Sequence, residues 1–248
     1  MSQSIENQVA VITGGASGIG LAVAKQFHAE GVRLALLDMN PEGLEQAKSE
    51  LDGSPLVVKT DISSEASVNA AIDQIVETYG QIDILVNAAG IVGKTNTKIV
   101  DVDLEDYIRV QQVNLIGSFI IAKAVIPHML KREYGRVLLI ASIAGKEGNA
   151  GMSSYSSSKA GVVGLVKTIG KEYAGTGITI NSLAPAVIYT PIHDTIPQEQ
   201  IDYMTAKIPM GRCGTLDEAV STIRYIVSPE NSFTTAFCYD LSGGRATY

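Results

Sequence analysis

Ser142, Tyr155 and Lys159 place a hydroxyl, a phenol and an ammonium in one short stretch, SIAGKEGNAGMSSYSSSK. Tyr155 and Lys159 are four positions apart, so they share a face if the segment is helical. An ammonium beneath a phenol favours its phenolate. Free tyrosine titrates near pH ~10, so a tyrosine that moves protons near neutrality needs such a neighbour. The set is a proton-transfer site in outline, and it lacks a redox partner. The competing reading is a surface serine cluster beside a solvated lysine, because Ser153, Ser154, Ser156, Ser157 and Ser158 crowd the same stretch.

A redox partner has a place to sit near the other end of the chain. The apolar run Gln8–Thr13 leads into Gly14-Gly-Ala-Ser17-Gly18-Ile19-Gly20 and then the helical pattern Leu21–Glu30. Strand, glycine-rich turn and helix in that order let backbone approach a pyrophosphate, whose charge the helix N-terminus favours. The spacing is T-G-x-x-x-G-x-G rather than the tighter G-x-G-x-x-G.

The elements that must position these groups alternate along the chain. Apolar runs followed by amphipathic stretches predict repeated βαβ units, hence a doubly wound, parallel seven-stranded sheet with helices on both faces. Further strands are expected at 33–37, ending at Asp38, and at 56–59, 82–86, 136–141, 178–183 and 236–241. Pro41 suits a first helical turn, Ser64 an N-cap and Gly80 a C-cap. A long helix is expected over 104–131, with Pro127 kinking its last turns. Regularity fails from about 185 to 210, where prolines and polar clusters surround a short helical piece at 198–207; a loop of that length is often a binding lid. No linker or repeat divides the chain, so one α/β domain of the Rossmann type is expected over residues 1–248.

Thr13-Gly-Gly-Ala-Ser-Gly-Ile-Gly20, Asn87-Ala88-Ala-Gly90, Asn114, Ser142 and Tyr155-x-x-x-Lys159 occur in the order of the motifs of short-chain dehydrogenase/reductases, and the chain resembles that family over nearly its whole length. The resemblance implies that Tyr155 is the general base in oxidation and the general acid in reduction, while Ser142 holds the reacting oxygen. It also implies that Lys159 depresses the tyrosine pKa and holds the nicotinamide ribose, and that Asn114 anchors a water linking Lys159 to solvent. Gly14, Ser17, Gly18, Ile19 and Gly20 would cradle the cofactor, Asn87, Ala88 and Gly90 would line it, and Asp61 and Ile62 would lie beside the adenine. Asp61 reads almost as well as an ordinary turn aspartate. Pro185, Ile188 and Thr190 would meet the nicotinamide end. The family commonly has Pro-Gly where this chain has Pro185-Ala186, which leaves the local backbone there open. Asp38, at the end of the second strand, can accept from the ribose hydroxyls and would repel the extra phosphate of NADP. The expected cofactor is therefore NAD. The family is usually tetrameric, and Val162, Val163, Leu165 and Val166 give the Tyr155 helix more apolar surface than one core face requires, so a homotetramer is expected.

The substrate is less legible. Lys146, Glu147 and Asn149 are a polar set in a stretch that usually flanks the substrate, and they suit a hydroxylated or carboxylated molecule unless they simply face water. The stretch Ala144–Asn149 and the ending Asp240-Leu-Ser-Gly-Gly-Arg245-Ala-Thr-Tyr248 resemble a subgroup acting on 2-keto-3-deoxy-L-fuconate and L-rhamnonate at C4. Arg245 is the candidate for a carboxylate contact, and could reach a neighbouring subunit. His193 and Tyr203, in the lid, are further candidates. The alternatives are a 3-oxoacyl-carrier-protein reductase, which shares the catalytic motifs, and a non-catalytic NAD sensor or scaffold, which the intact Ser, Tyr, Lys set disfavours.

Composition narrows the classes. The formal charge of −7 disfavours nucleic acid as a partner. Cys213 and Cys238 suggest neither a disulfide framework nor a zinc site. No apolar run reaches the ~18 residues of a bilayer span, and Met1–Gln8 is polar without a signal-peptide pattern. A cytoplasmic protein with no membrane partner is the expectation.

Overall fold

The computed structural model describes residues 4–190, 199, 202, 205–246 and 248. Seven parallel strands form one sheet in the order β3-β2-β1-β4-β5-β6-β7. The strands are β1 Val9–Thr13, β2 Arg33–Asp38, β3 Leu56–Lys59, β4 Ile84–Asn87, β5 Gly135–Ile140, β6 Ile178–Pro185 and β7 Cys238–Leu241. Chain order reverses between β1 and β4, and the crevice outside the carboxyl ends of the strands at such a switch is where ligands bind. Both faces of the sheet are covered, so β1 is buried at every position, as a central parallel strand must be.

The helices are α1 Gly18–Ala29, α2 Pro41–Glu50, α3 Glu65–Tyr79, α4 Leu104–Gln111, α5 Gly117–Leu130, α6 Ile143–Glu147, α7 Ser153–Glu172 and α8 Leu216–Ile226. Val23 and Phe27 of α1 and Ile223 of α8 pack with Ile12 and Leu36 on one face. Val68 and Ile72 of α3, Ile121 and Val125 of α5 and Val162 and Val166 of α7 cover the other. Local signals set the ends: Asn40 caps α2 by accepting from the Gly43 amide (3.1 Å), Ser64 caps α3, and Gly80 closes α3 at φ 74°.

Two expectations need correcting. The stretch expected as one helix over 104–131 is α4 and α5 joined by a π-helical turn, Gln112–Ile116. Such a turn carries one extra residue and recurs at functional sites. Leu104–Leu130 as a whole is also long and apolar enough to cross a bilayer by length and composition, with a mean hydropathy of 1.6 in its most apolar window. The scattered Glu, Asp and Arg residues of α4 hid that from a reading by continuous apolar runs. In the fold half of that window is buried, and Ile120, Ile121, Val125, Ile126 and Met129 are part of the core that packs on the sheet.

Candidate active site

The sheet brings Ser142, Tyr155 and Lys159 together at the carboxyl end of β5. Ser142 lies just past that strand and caps α6, accepting from the Ala144 amide at 3.1 Å. Gly145 lets α6 lie against α7, since a Cβ there would come within 2.6–2.8 Å of the Lys159–Ala160 peptide. Helix α7 begins at Ser153, so Tyr155 and Lys159 stand on its first two turns. Lys159 is 5% exposed, donates from Nζ to the Ile140 carbonyl at 2.8 Å and lies 5.8 Å from the centre of the Tyr155 ring.

The electrostatics differ from the expectation that the lysine pulls the phenol down. Burial pushes Tyr155 up from its ordinary value, and the opposing pull comes from a hydrogen bond with Ser142 rather than from Lys159. Burial pushes the lysine itself down to about 8. Desolvation disfavours the charged form of each group, and sequence spacing carries no measure of desolvation.

Asn114 sits in the π turn and is wholly buried. Its Oδ1 accepts from the Ile91 amide (2.8 Å), and its Nδ2 donates to the Ile91 carbonyl (2.8 Å) and to Ser158 Oγ (2.9 Å). One side chain therefore ties the β4 exit to α7. Gly90 fits between, because a Cβ there would lie 3.2 Å from Asn114 Oδ1 and 3.4 Å from Lys159 Nζ. Asn87, 2% exposed, bridges the sheet: its Oδ1 accepts from Thr13 Oγ1 and its Nδ2 donates to Ser118 Oγ (2.8 Å).

The glycine turn fits a dinucleotide. Gly14 adopts φ +67°, and a Cβ on it would come within 2.9 Å of the Ala89 amide nitrogen. A Cβ on Gly20 would collide with the Gly14 carbonyl. Around Gly18, at φ +53°, a Cβ would meet nothing within 4 Å, so the turn has open space on that side. Ser17 caps α1 without a side-chain bond, and no acid stands in the first turn; those amides suit an anion. Asp38 accepts from the Ala16 amide (3.2 Å) and the Asn40 amide (3.0 Å), which fixes a carboxylate beside the glycine turn. A ribose diol can donate to it, whereas a 2′-phosphate would meet a like charge. Asp61 uses Oδ1 to accept from Ser63 N and Oγ (2.9 and 2.6 Å), a turn role. Ile62 packs on Gly117, where a Cβ would come within 3.0 Å.

A cavity of about 500 Å³ opens beside the catalytic groups, bounded by Ile19, Ala88 and Gly90 on the dinucleotide side and by Ser142, Tyr155 and Lys159. Pro185, Ile188 and Thr190 form another wall. Ile188 is pinned by a parallel bridge to Gly214. Ala186 donates to the Leu241 carbonyl (2.9 Å) and is not among the residues of positive φ, so alanine serves where the family commonly has glycine.

Two of the polar residues expected at the substrate do not line this cavity. Lys146 turns away and donates to both oxygens of Asp240 (2.9 and 2.8 Å), with the Tyr248 ring 4.9 Å from its Nζ. Glu147 lies behind the wall and accepts from Arg245 Nε (2.8 Å). Asn149 and Arg245 do line it, together with Asn96, Met152 and Lys207, which sequence reasoning missed. Asn96 carried one signal, an asparagine in a polar loop where a left-handed residue is favoured, and it adopts φ 55°. Arg245 reaches the cavity of its own subunit. His193 and Tyr203 lie outside the described residues, as do the rest of 191–198 and residues 200, 201 and 204 of the expected lid.

Comparison with known proteins places this geometry in a family. The model of short chain dehydrogenases matches residues 8–201. A 2-dehydro-3-deoxy-L-rhamnonate dehydrogenase (NAD(+)) of Sphingomonas sp. (strain SKA58) is 45% identical, covering 96% of this chain and 95% of that protein. The 3-oxoacyl-[acyl-carrier-protein] reductase of Thermotoga maritima is 35% identical, covering 97% and 98%. Among solved structures, an NAD+-bound xylitol dehydrogenase superposes with a TM-score of 0.92 at 29% identity, covering 97% of this chain and 99% of that one. With the motifs, the sheet order and the Ser142–Tyr155–Lys159 cluster in agreement, the chain belongs to the short chain dehydrogenase family.

Proposed function

We propose that this protein is an NAD-dependent dehydrogenase that oxidises a secondary alcohol on a 2-keto-3-deoxy sugar acid, at C4 of a substrate such as 2-keto-3-deoxy-L-rhamnonate or 2-keto-3-deoxy-L-fuconate. The observation that carries the reading is the cavity: Ser142 and Tyr155 share it with Asn96, Asn149, Lys207 and Arg245, polar and charged groups set in an otherwise largely apolar lining. An acyl chain would leave these groups unpaired. The 45% identical relative bears a name of this substrate class, and the fixed carboxylate of Asp38 favours NAD over NADP.

The dinucleotide supplies a hydride acceptor when bound. The chain's own residues do the proton chemistry. Tyr155 takes the proton of the substrate hydroxyl as the C–H bond breaks, and Ser142 holds the same oxygen while it becomes a carbonyl. Lys159, held against the Ile140 carbonyl, keeps positive charge near the phenolate that accepts this proton and becomes the phenol. Asn114 holds Ile91 and Ser158 around Lys159, and by family resemblance a water there passes the proton towards solvent. A homotetramer accounts for the exposed Leu104, Ile108 and Phe119 on α4 and α5; light scattering at assay concentration tests it.

A second reading, a 3-oxoacyl-carrier-protein reductase, has support in the Thermotoga relative and in the apolar Ile91, Val92 and Met152 that line the cavity. One assay separates the two: NADH formation at 340 nm with 2-keto-3-deoxy sugar acids, other sugar acids and hydroxyacyl thioesters, each with NAD and NADP. Turnover of deoxy sugar acids with NAD is expected. Turnover of thioesters alone, with NADP, would overturn the substrate and cofactor assignments together.

A further inference from the structure

Arg245 is an arginine near the end of the chain, where an ordinary side chain would be solvated, yet its side chain is only 7% exposed. It faces the cavity of the catalytic groups and is held from behind. Its Nε donates to Glu147 Oε2 at 2.8 Å and its Nη2 to Asn149 Oδ1 at 2.9 Å. Nη1 makes no hydrogen bond among the described residues. The backbone beneath is fixed as well, with the Arg245 amide donating to the Ser242 carbonyl (3.2 Å) and the Ala246 amide to Ser242 Oγ (3.1 Å). Lys207, on the stretch that packs against Gly243 and Gly244, lines the same cavity, is exposed and has no acidic partner among the described residues.

The charges do not cancel. Arg245 and Lys207 carry two positive charges against one negative charge on Glu147, and the neighbouring Lys146–Asp240 pair is neutral within itself. Apart from Lys159, which serves the catalytic groups, the cavity therefore carries one uncompensated positive charge, and a monoanion balances it. A planar guanidinium with its orientation already set is matched to a carboxylate. Holding it in advance removes part of the ordering cost of binding.

We propose that Arg245 is the anchor for the substrate's carboxylate, that Glu147 and Asn149 are positioning residues for it, and that Lys207 supplies the second cation. This deepens the substrate reading above and rests on it. Glu147 thus acts without touching substrate, because it holds Nε from behind the cavity wall and leaves Nη1 for the ligand.

The test uses full-length protein carrying Tyr155→Phe, saturated with NAD, so that binding is read without turnover. Calorimetry compares 2-keto-3-deoxy-L-rhamnonate with its methyl ester, which has the same skeleton and no charge. The acid is expected to bind about 100-fold more tightly than the ester, and Arg245→Ala to erase that preference while leaving ester affinity within about threefold. Arg245→Lys is expected to recover part of it, and Glu147→Gln to weaken acid binding with ester binding unchanged. With Tyr155 restored, Arg245→Ala should raise KM for the acid and leave kcat within about threefold. Failure of the acid to bind, no preference over the ester, or equal losses for acid and ester in Arg245→Ala would each overturn the anchor. The substrate reading is judged separately, by whether the protein with Tyr155 intact oxidises the acid at all.

Discussion

Lys159 is a buried ammonium with no carboxylate against it among the described residues, and its cost can be measured. Its pKa falls from 10.5 to about 8 on folding, through burial. At ~1.4 kcal/mol per unit, the shift corresponds to about 3 kcal/mol of destabilisation wherever the group is protonated in both states. The unfolded chain keeps the proton up to about pH 10.5, whereas the folded chain releases it near 8. Between those values the unfolded state binds more protons, so stability rises with pH. Below 8 the whole penalty is present. Replacing Lys159 with Met removes the titration and forfeits the bond to the Ile140 carbonyl, a loss of ~1.5–3 kcal/mol for a charged donor that does not depend on pH below 8. Thermal unfolding of the cofactor-free wild type and Lys159→Met from pH 7 to 10.5 is the assay, and the difference in Tm between them is the readout. Other titrating groups cancel in that difference. For a chain of this size ~1 kcal/mol moves Tm by about 2–4 °C, so the wild type should gain roughly 6–12 °C on the variant across this range. The variant should be at least as stable as the wild type at pH 7 and inactive throughout. Two Tm curves that stay parallel would refute the argument from burial.

Three other outcomes follow from the same geometry. Tyr155→Phe should lower turnover by at least ~10³-fold and leave NAD binding intact, since it removes the proton acceptor alone; a fully active variant would end that assignment. Asp38→Ala should raise KM for NAD by about 10- to 100-fold and improve the ratio of NADP to NAD activity, from the loss of a charge-assisted acceptor and of a repulsion; steady-state kinetics with both cofactors reads this. Asn114→Ala strands the Ile91 amide and carbonyl, so chemical denaturation should show a loss of about 2–3 kcal/mol, with hydrogen exchange at Ile91 rising first.

Much of this was legible in the sequence because it depends on local pattern. Alternating apolar runs gave the strands and their parallel order, and Pro41, Ser64 and Gly80 marked helix ends by their own chemistry. Asp38 could be placed beside the glycine turn because a strand end and a carboxylate coincide. What escaped depends on contacts between distant residues or on burial. The Arg245–Glu147 bond joins positions 98 apart, so the polar set at 146–149 looked like three substrate contacts. Folded, it is one cavity residue, one support and one lysine turned towards Asp240. Lys207 carried no signal beyond being a lysine in an irregular stretch. The direction of the Tyr155 shift was misread because the spacing of Tyr155 and Lys159 shows a partner but not the desolvation of both. Helix α6, five residues long, is too short to show a period.

The π turn at Gln112–Ile116 has a consequence for how this chain tolerates length changes. Each residue advances a straight α-helix by about 100°, and the wide turn absorbs one residue so that α4 and α5 keep their faces. Deleting one residue of the turn would let the helix run straight with α5 in the same phase, so Ser118 would still reach Asn87 and Ile121 and Val125 would still face the core. The loss would fall on the bulged backbone that places Asn114 against Ile91 and Ser158. A deletion within α5 itself has no such turn to absorb it and would rotate those faces, and the apolar pattern that joins the two halves changes phase by one residue at the turn.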